Sequence, residues 1–173
     1  RWNIAPTQPV AILRADEDRA GRPVMALPRW GLVPEWANDP RIGSRLINAR
    51  QESLATKPSF RDSFLARRCL VLADGFYEWA PLPPGGPKVP HYLRLRSGHP
   101  FNFAGLWSRW RSPSGDPLET CTIVTGPPNE HVARLHDRMP VILPEGTRRA
   151  WLDPRVRDER TLTALYLLTV ADI

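Results

Sequence analysis

Residues 69–79 read CLVLADGFYEW. The first five, Cys69 to Ala73, form an apolar run too short for a helix, which predicts a buried strand. Asp74-Gly75 is a turn signal, because Gly accepts φ > 0 and Asp bonds its own backbone. Phe76 to Trp79 then reads as a second strand. Alternation puts Phe76 and Glu78 on one face, Tyr77 and Trp79 on the other. A carboxylate flanked by three aromatics is unusual. If it is buried there its charged form is disfavoured and its pKa rises, which suits a general acid or base. The alternative is a Glu at a strand edge, paired with one of the chain's many arginines.

Short apolar or alternating runs recur on both sides of this stretch. Strands are predicted at residues 9–14, 23–27, 29–33, 46–50, 91–96, 101–107, 119–125 and 141–143. Residues 14–22 (RADEDRAGR) read as a charged surface hairpin loop, and 38–44 and 109–117 as loops. Short helices are predicted at 51–56, 59–67, 129–135, 144–151 and 159–168. Ser59 is a candidate cap for the second, and Asn129 for the third. Phe60 and Phe64, at i and i+4, mark a core face, with Arg61, Arg67 and Arg68 expected on the surface. Residues 81–90 (PLPPGGPKVP) read as a rigid loop, since proline disrupts helices and central strands. Gly105, inside a strand, suggests a bulge or a close approach. The predicted fold class is α+β: one strand-rich domain over residues 1–173, without internal repeats.

The chain has 173 residues, enough for one domain with a sizeable core. Its 24 basic and 18 acidic residues leave a net charge of +6, and Lys57 and Lys88 are the only lysines. An arginine-dominated excess suits phosphate and base contacts, so nucleic acid is the expected partner class. Seven tryptophans add stacking surfaces for unpaired bases. Trp36, in a proline-bounded loop, is the better candidate for an exposed one; Trp30 is expected in the core. Twenty prolines, about twice the usual share, argue for many short elements. Cys69 and Cys121 sit in apolar runs and are expected to be buried free thiols. No apolar run approaches a membrane span and no signal peptide is visible, so a cytoplasmic location is expected, on the nucleoid if the source is bacterial. The ends, Arg1 without a Met and an abrupt apolar tail, suggest that segments lie beyond both.

Three polar clusters stand at predicted strand ends, where sites are commonly built: Asn48 with Arg50, Glu78, and His136 with Arg138. Glu and His make an acid–base pair, and two arginines beside them would attract an anion. His91 and His99 are expected to be structural, and His131 exposed. The histidines and cysteines show no metal-ligand spacing, so no metal or cofactor is expected. A GxSxG elbow and a glycine-rich phosphate loop are also absent.

Six co-linear stretches resemble the SOS response-associated peptidase (SRAP) family: Arg1 to Gln8 (RWNIAPTQ), Trp30 to Pro34 (WGLVP), Leu46 to Glu52 (LINARQE), Lys57 to Arg61 (KPSFR), Ala73 to Trp79 (ADGFYEW) and His136 to Leu143 (HDRMPVIL). The resemblance implies a barrel-like mixed sheet with short flanking helices. It implies a monomeric sensor of abasic sites in single-stranded DNA that becomes covalently attached through an N-terminal Cys, closing a thiazolidine, with self-processing of its N-terminus. On that resemblance Asn48, Glu78 and His136 are the catalytic set. Arg50 and Arg138 hold phosphates, Trp36 and Pro6 wedge against bases, and Asn3 and Thr125 complete the DNA-binding residues. The nucleophile lies outside this sequence, since neither Cys69 nor Cys121 has a free α-amine. Two other functions remain compatible: a non-catalytic single-stranded-DNA-binding module, and a small-molecule or peptide hydrolase using Glu78 and His136.

Overall fold

In this computed structural model residues 3–16, 22–81 and 85–167 are described. The organising strand is β9 (Pro117–Gly126). From Thr120 to Gly126 every residue is buried, which explains why this stretch is a continuous β-branched run rather than an alternating one. β8 (Phe101–Arg111) pairs antiparallel with its first part, from Arg111↔Pro117 to Gly105↔Ile123. β10 (Met139–Pro140) pairs antiparallel with its end. Two short strands run parallel to it: β3 (Arg29–Trp30) at Thr120–Cys121 and β4 (Asn48–Arg50) at Ile123–Thr125. Beyond β8 the sheet continues through β5 (Arg68–Ala73), β1 (Ile12–Ala15) and β2 (Pro23–Ala26). This mixed sheet curls into a half-barrel, with cores on both of its faces.

One core joins the sheet to three short helices, α1 (Arg61–Ala66), α2 (Glu145–Leu152) and α3 (Glu159–Leu167). Phe60, Phe64, Leu106, Trp151, Leu162 and Tyr166 fill it. The other holds Ile12, Val71, Phe101, Phe103, Ile123 and Met139. Gly105 allows the close approach that its place in a strand suggested: a Cβ there would come within 2.8 Å of both Cys69 Sγ and Val71 Cγ2. Cys69 and Cys121 are buried free thiols. Burial pushes the Cys121 thiol up to about 12.

Several local expectations are corrected. Residues 69–73 and 76–79 are strands, but Asp74-Gly75 does not join them as a hairpin. β5 pairs with β1 and β8, whereas β6 (Phe76–Pro81) pairs with β7 (Lys88–Leu93) in a separate two-stranded ribbon. The chain changes sheet at Gly75, where a Cβ would clash with the hydroxyl end of Tyr92. The proline-rich stretch therefore contributes strand at Pro81 and at Lys88–Pro90, which a ribbon with two open edges tolerates; residues 82–84 lie outside the described ones. Similarly, β8 runs on to Arg111 and shortens the loop expected at 109–117. The loop expected at 38–44 is largely a 3₁₀ helix, Pro40–Arg45, whose Asp39 cap accepts from Arg41 N–H at 2.8 Å. The helix expected at 51–56 is only a 3₁₀ turn, Gln51–Ser53, and α1 is capped at Phe60 rather than Ser59. β1 and β2 pair antiparallel, from Ile12↔Ala26 to Ala15↔Pro23, and residues 17–21 of the charged loop expected between them lie outside the described ones.

Arg68 is the largest departure, because it is buried, not on the surface. Its guanidinium donates to four carbonyls: Phe64 O at 2.8 Å, Trp151 O at 2.6 Å, Asp153 O at 2.6 Å and Val156 O at 2.9 Å. Helix C-termini leave such carbonyls without intrahelical donors and carry partial negative charge. A five-donor cation satisfies several at once. Burial pulls its pKa down to about 10, so it stays charged at neutral pH.

Candidate active site

The end of β9 gathers two of the three polar clusters. In register, Asn48 lies beside Ile123 and Arg50 beside Thr125. Thr125 is also opposite Pro140 of β10, and its carbonyl accepts from Arg138 Nη2 at 2.8 Å. A tight turn brings His136 back on this strand: Arg138 N–H donates to His136 Nδ1 at 3.0 Å, and Asp137 Oδ1 lies 3.1 Å from the same nitrogen. Asn48 and Arg50 are exposed on the rim, while Thr125 is buried.

Glu78 supplies the third cluster from the separate β6–β7 ribbon. It is half-buried, and Tyr77 and Trp79 on the reverse face are exposed. Burial raises its pKa from the ordinary carboxylate value. The positive charge of His136 pulls against that rise, Asp137 adds to it, and the Trp79 N–H favours the carboxylate. His136 and Asp137 are thus the side chains whose charge bears on Glu78. Asn48, Arg50 and Arg138 are gathered around the end of β9, and His136 links their turn electrostatically to Glu78.

The N-terminal segment reaches the same neighbourhood through tryptophan. Thr7 N–H donates to Trp30 O at 2.8 Å, and Trp30 Nε1 donates to Ile47 O at 2.8 Å, next to Asn48. Asn3 and Pro6 are exposed on this segment. Thr7 has φ +72°, a left-handed conformation that costs a β-branched residue about 1–3 kcal/mol. Trp36 is 55% exposed, but its loop is anchored elsewhere. Val33 N–H donates to Thr120 Oγ1 at 2.9 Å, and Trp110 Nε1 donates to Ala37 O at 2.6 Å. These anchors lie at the start of β9, about 17 Å along the strand from Thr125. Near them a cleft of about 330 Å³ is lined by Glu35, Arg67, Arg109 and Arg111.

Two participants escape sequence reasoning. Glu52 holds Arg138 in a fork, Oε1 to Nη1 at 2.7 Å and Oε2 to Nη2 at 2.9 Å. That contact lowers the Glu52 pKa and raises that of Arg138. His91, expected to be structural, is the direct cross-strand partner of Glu78. Only the β6–β7 register reveals that pairing, because residues 88–90 read as loop. Among the described residues no group of three or more His, Cys, Asp or Glu side chains is placed to hold a metal ion. No helix among the described residues is long and apolar enough to cross a membrane.

The fold is a curled mixed-sheet α+β domain, with Arg50 and Arg138 at the exit of its central strand and His136 in the turn beside them. The chain belongs to the SOS response associated peptidase (SRAP) family, whose profile matches residues 1–172. It is 45% identical over 166 residues to the abasic site processing protein YoqW of Bacillus subtilis, covering 95% of this chain and 71% of that one. It is 34% identical over 165 residues to the abasic site processing protein HMCES of Gallus gallus, covering 82% and 48%. Among solved structures, a protein from Bacteroides thetaiotaomicron superposes with a TM-score of 0.82 at 27% identity, over 92% of this chain and 68% of that one.

Proposed function

We propose that this domain processes abasic sites in DNA, engaging them in single strands and capturing them covalently. The observation that carries this is the pairing of a half-buried, raised-pKa Glu78 with His136 beside the Asn48–Arg50 rim. The names of the relatives supply the lesion. Arg50, and Arg138 once released from Glu52, hold phosphates. Asn48 offers both an amide donor and a carbonyl acceptor to the sugar. Exposed Pro6 provides a surface for a base flanking the gap, and exposed Trp36, at the other end of β9, a stacking surface for a base further along the strand.

In this chemistry the abasic sugar opens to an aldehyde, with His136 protonating the ring oxygen. An α-amine attacks C1′, and Glu78 takes the proton that the amine must lose. Loss of water gives an imine. A thiol on the same residue then adds to the imine carbon, its proton ending on nitrogen. The sum is aldehyde plus cysteine giving thiazolidine plus water, with no redox change. Cys69 and Cys121 are buried internal residues without an α-amine, so neither supplies the amine and thiol that this step uses.

The test is denaturing electrophoresis of the full-length encoded protein mixed with a single-stranded oligonucleotide carrying one abasic site. A denaturation-resistant adduct is expected. Glu78→Gln should slow its formation about 10²-fold while binding to a non-reactive tetrahydrofuran analogue is spared. A full-length protein that binds the analogue but forms no adduct would leave a non-covalent DNA-binding module.

A further inference from the structure

Near the start of β9, away from Asn48 and Arg138, a second group of arginines surrounds a tryptophan. Alternation along β8 puts Trp107, Arg109 and Arg111 on one face. Trp107 packs in the second core, and the two arginines carry that face on to the end of the strand. Three guanidinium groups stand about the buried Trp107 ring: Arg14 of β1 at 4.3 Å from its centre, Arg109 at 5.7 Å, and Arg67, which ends α1, at 5.8 Å. Carboxylates hold the same groups: Glu35 Oε1 is 2.7 Å from Arg67 Nη2, and Glu119 Oε1 is 2.8 Å from Arg109 Nη2 and 3.2 Å from Arg14 Nη2. Arg111 is exposed and donates to Gly115 O at 3.4 Å. The cleft of about 330 Å³ lies among Arg67, Arg109, Arg111 and Glu35, three cations to one carboxylate. Glu35 comes from the loop that carries Trp36, whose exposed indole donates from Nε1 to Pro58 O at 3.4 Å.

We propose that this cleft is a second phosphate site, taking a backbone phosphate of the DNA strand beyond the lesion while a neighbouring base stacks on Trp36. The inference rests on the DNA reading above and extends it to the far end of β9. Guanidinium forks match phosphate oxygens. Arginines already stacked on an indole and braced by carboxylates lose little freedom on meeting a ligand. Arg109 is opposite Glu119, and from there to Thr125 β9 runs about 20 Å. At about 3.4 Å per stacked nucleotide a strand covers that distance in about six, and in fewer when unstacked and extended. One short single strand therefore reaches from Arg50 to the cleft. Glu35 has two opposed effects there: it braces Arg67 and repels the phosphate.

The test uses the 173-residue chain and single strands with one tetrahydrofuran site, read by fluorescence anisotropy across a salt series. A short strand with about two nucleotides on either side of the site stops before the cleft, and a long one with about eight reaches it. The wild type should bind the long strand more tightly, with a log–log salt slope steeper by at least about 0.7, the share of one further phosphate. Arg111→Glu should weaken the long strand about fivefold at low salt and remove the extra slope, leaving the short strand unchanged. Glu35→Gln should tighten the long strand alone, a gain that a poorly folded variant would not give. Uncharged methylphosphonate linkages in the outer part of the long strand should return its slope to that of the short one. Long-strand binding that neither substitution changes overturns the second phosphate site. Undamaged long strands bound as tightly as those with tetrahydrofuran and weakened equally by Arg111→Glu, with no adduct from the full-length protein, overturn the abasic-site reading instead and leave the cleft as a DNA site.

Discussion

Glu52→Gln tests whether Arg138 is a DNA ligand or a clasp between β10 and the turn after β4. The substitution keeps the shape of the side chain and removes its charge. At present both Glu52 oxygens are spent on Arg138, at 2.7 and 2.9 Å, and the carboxylate side chain is 51% exposed against 23% for Arg138. A half-exposed pair of this kind contributes about 1 kcal/mol or less to stability. A phosphate reaching Arg138 would have to share the guanidinium with Glu52. Two unit negative charges about 6 Å apart repel by about 0.7 kcal/mol in water and about 3 kcal/mol at an effective dielectric of 20. Removing one should tighten binding of a tetrahydrofuran-containing single strand about tenfold at low salt, the middle of that range. It should also steepen the log–log salt dependence by about 0.7, the share of one further phosphate. Fluorescence anisotropy across a salt series reads both quantities. Unchanged or weaker binding with an unchanged slope would show that Arg138 does not contact phosphate. Thermal unfolding should meanwhile fall by only about 2–4 °C.

Arg68→Met should cost about 3–5 kcal/mol in urea unfolding, because four carbonyls lose their donor in a buried site; a loss below about 1 kcal/mol would mean that water replaces the guanidinium. His136→Ala removes the charge that holds the Glu78 pKa down. The base form of Glu78 is the one that accepts a proton, so the rising limb of the capture rate against pH should move to higher pH; a limb that stays in place would separate the two residues. Cys69 and Cys121 should react with a thiol reagent only on unfolding, and Cys69→Ala with Cys121→Ala should leave capture by the full-length protein intact, read on the same denaturing gel.

The strands were legible where burial is reported by local composition. CLVLA and ETCTIVT are apolar or β-branched without a break, and both are strands of the main sheet. Glu78 stood out for the same reason, as a charge where its neighbours predicted burial. What could not be read were relations set by pairing at long range. Asp74-Gly75 carries a hairpin's residues, yet the strands beside it diverge into different sheets, because β1 and β8 occupy both edges of β5. The cross-strand pairing of His91 with Glu78 was not legible, because it depends on a proline-rich stretch that gives no strand signal. Arg68 follows another arginine and precedes a strand, an ordinary surface context. Its acceptors come from residues 64, 151, 153 and 156, and no local pattern brings them together.

Those acceptors give Arg68 a bearing on the order of synthesis. Three of them are encoded 83 to 88 residues after it. At about 5–20 residues per second, a translating ribosome delivers the last some 4–18 s after the arginine. Until then a cation destined for the interior has only Phe64 O to bond, and the β5 end of the half-barrel is better hydrated than packed. The nascent domain is thus held open at that end until its C-terminal helices emerge. A chain stalled before Trp151 would keep the exposed face of α1 and β5 available to chaperones and proteases. One buried guanidinium thereby makes packing of the α1–β5 end conditional on synthesis through Val156.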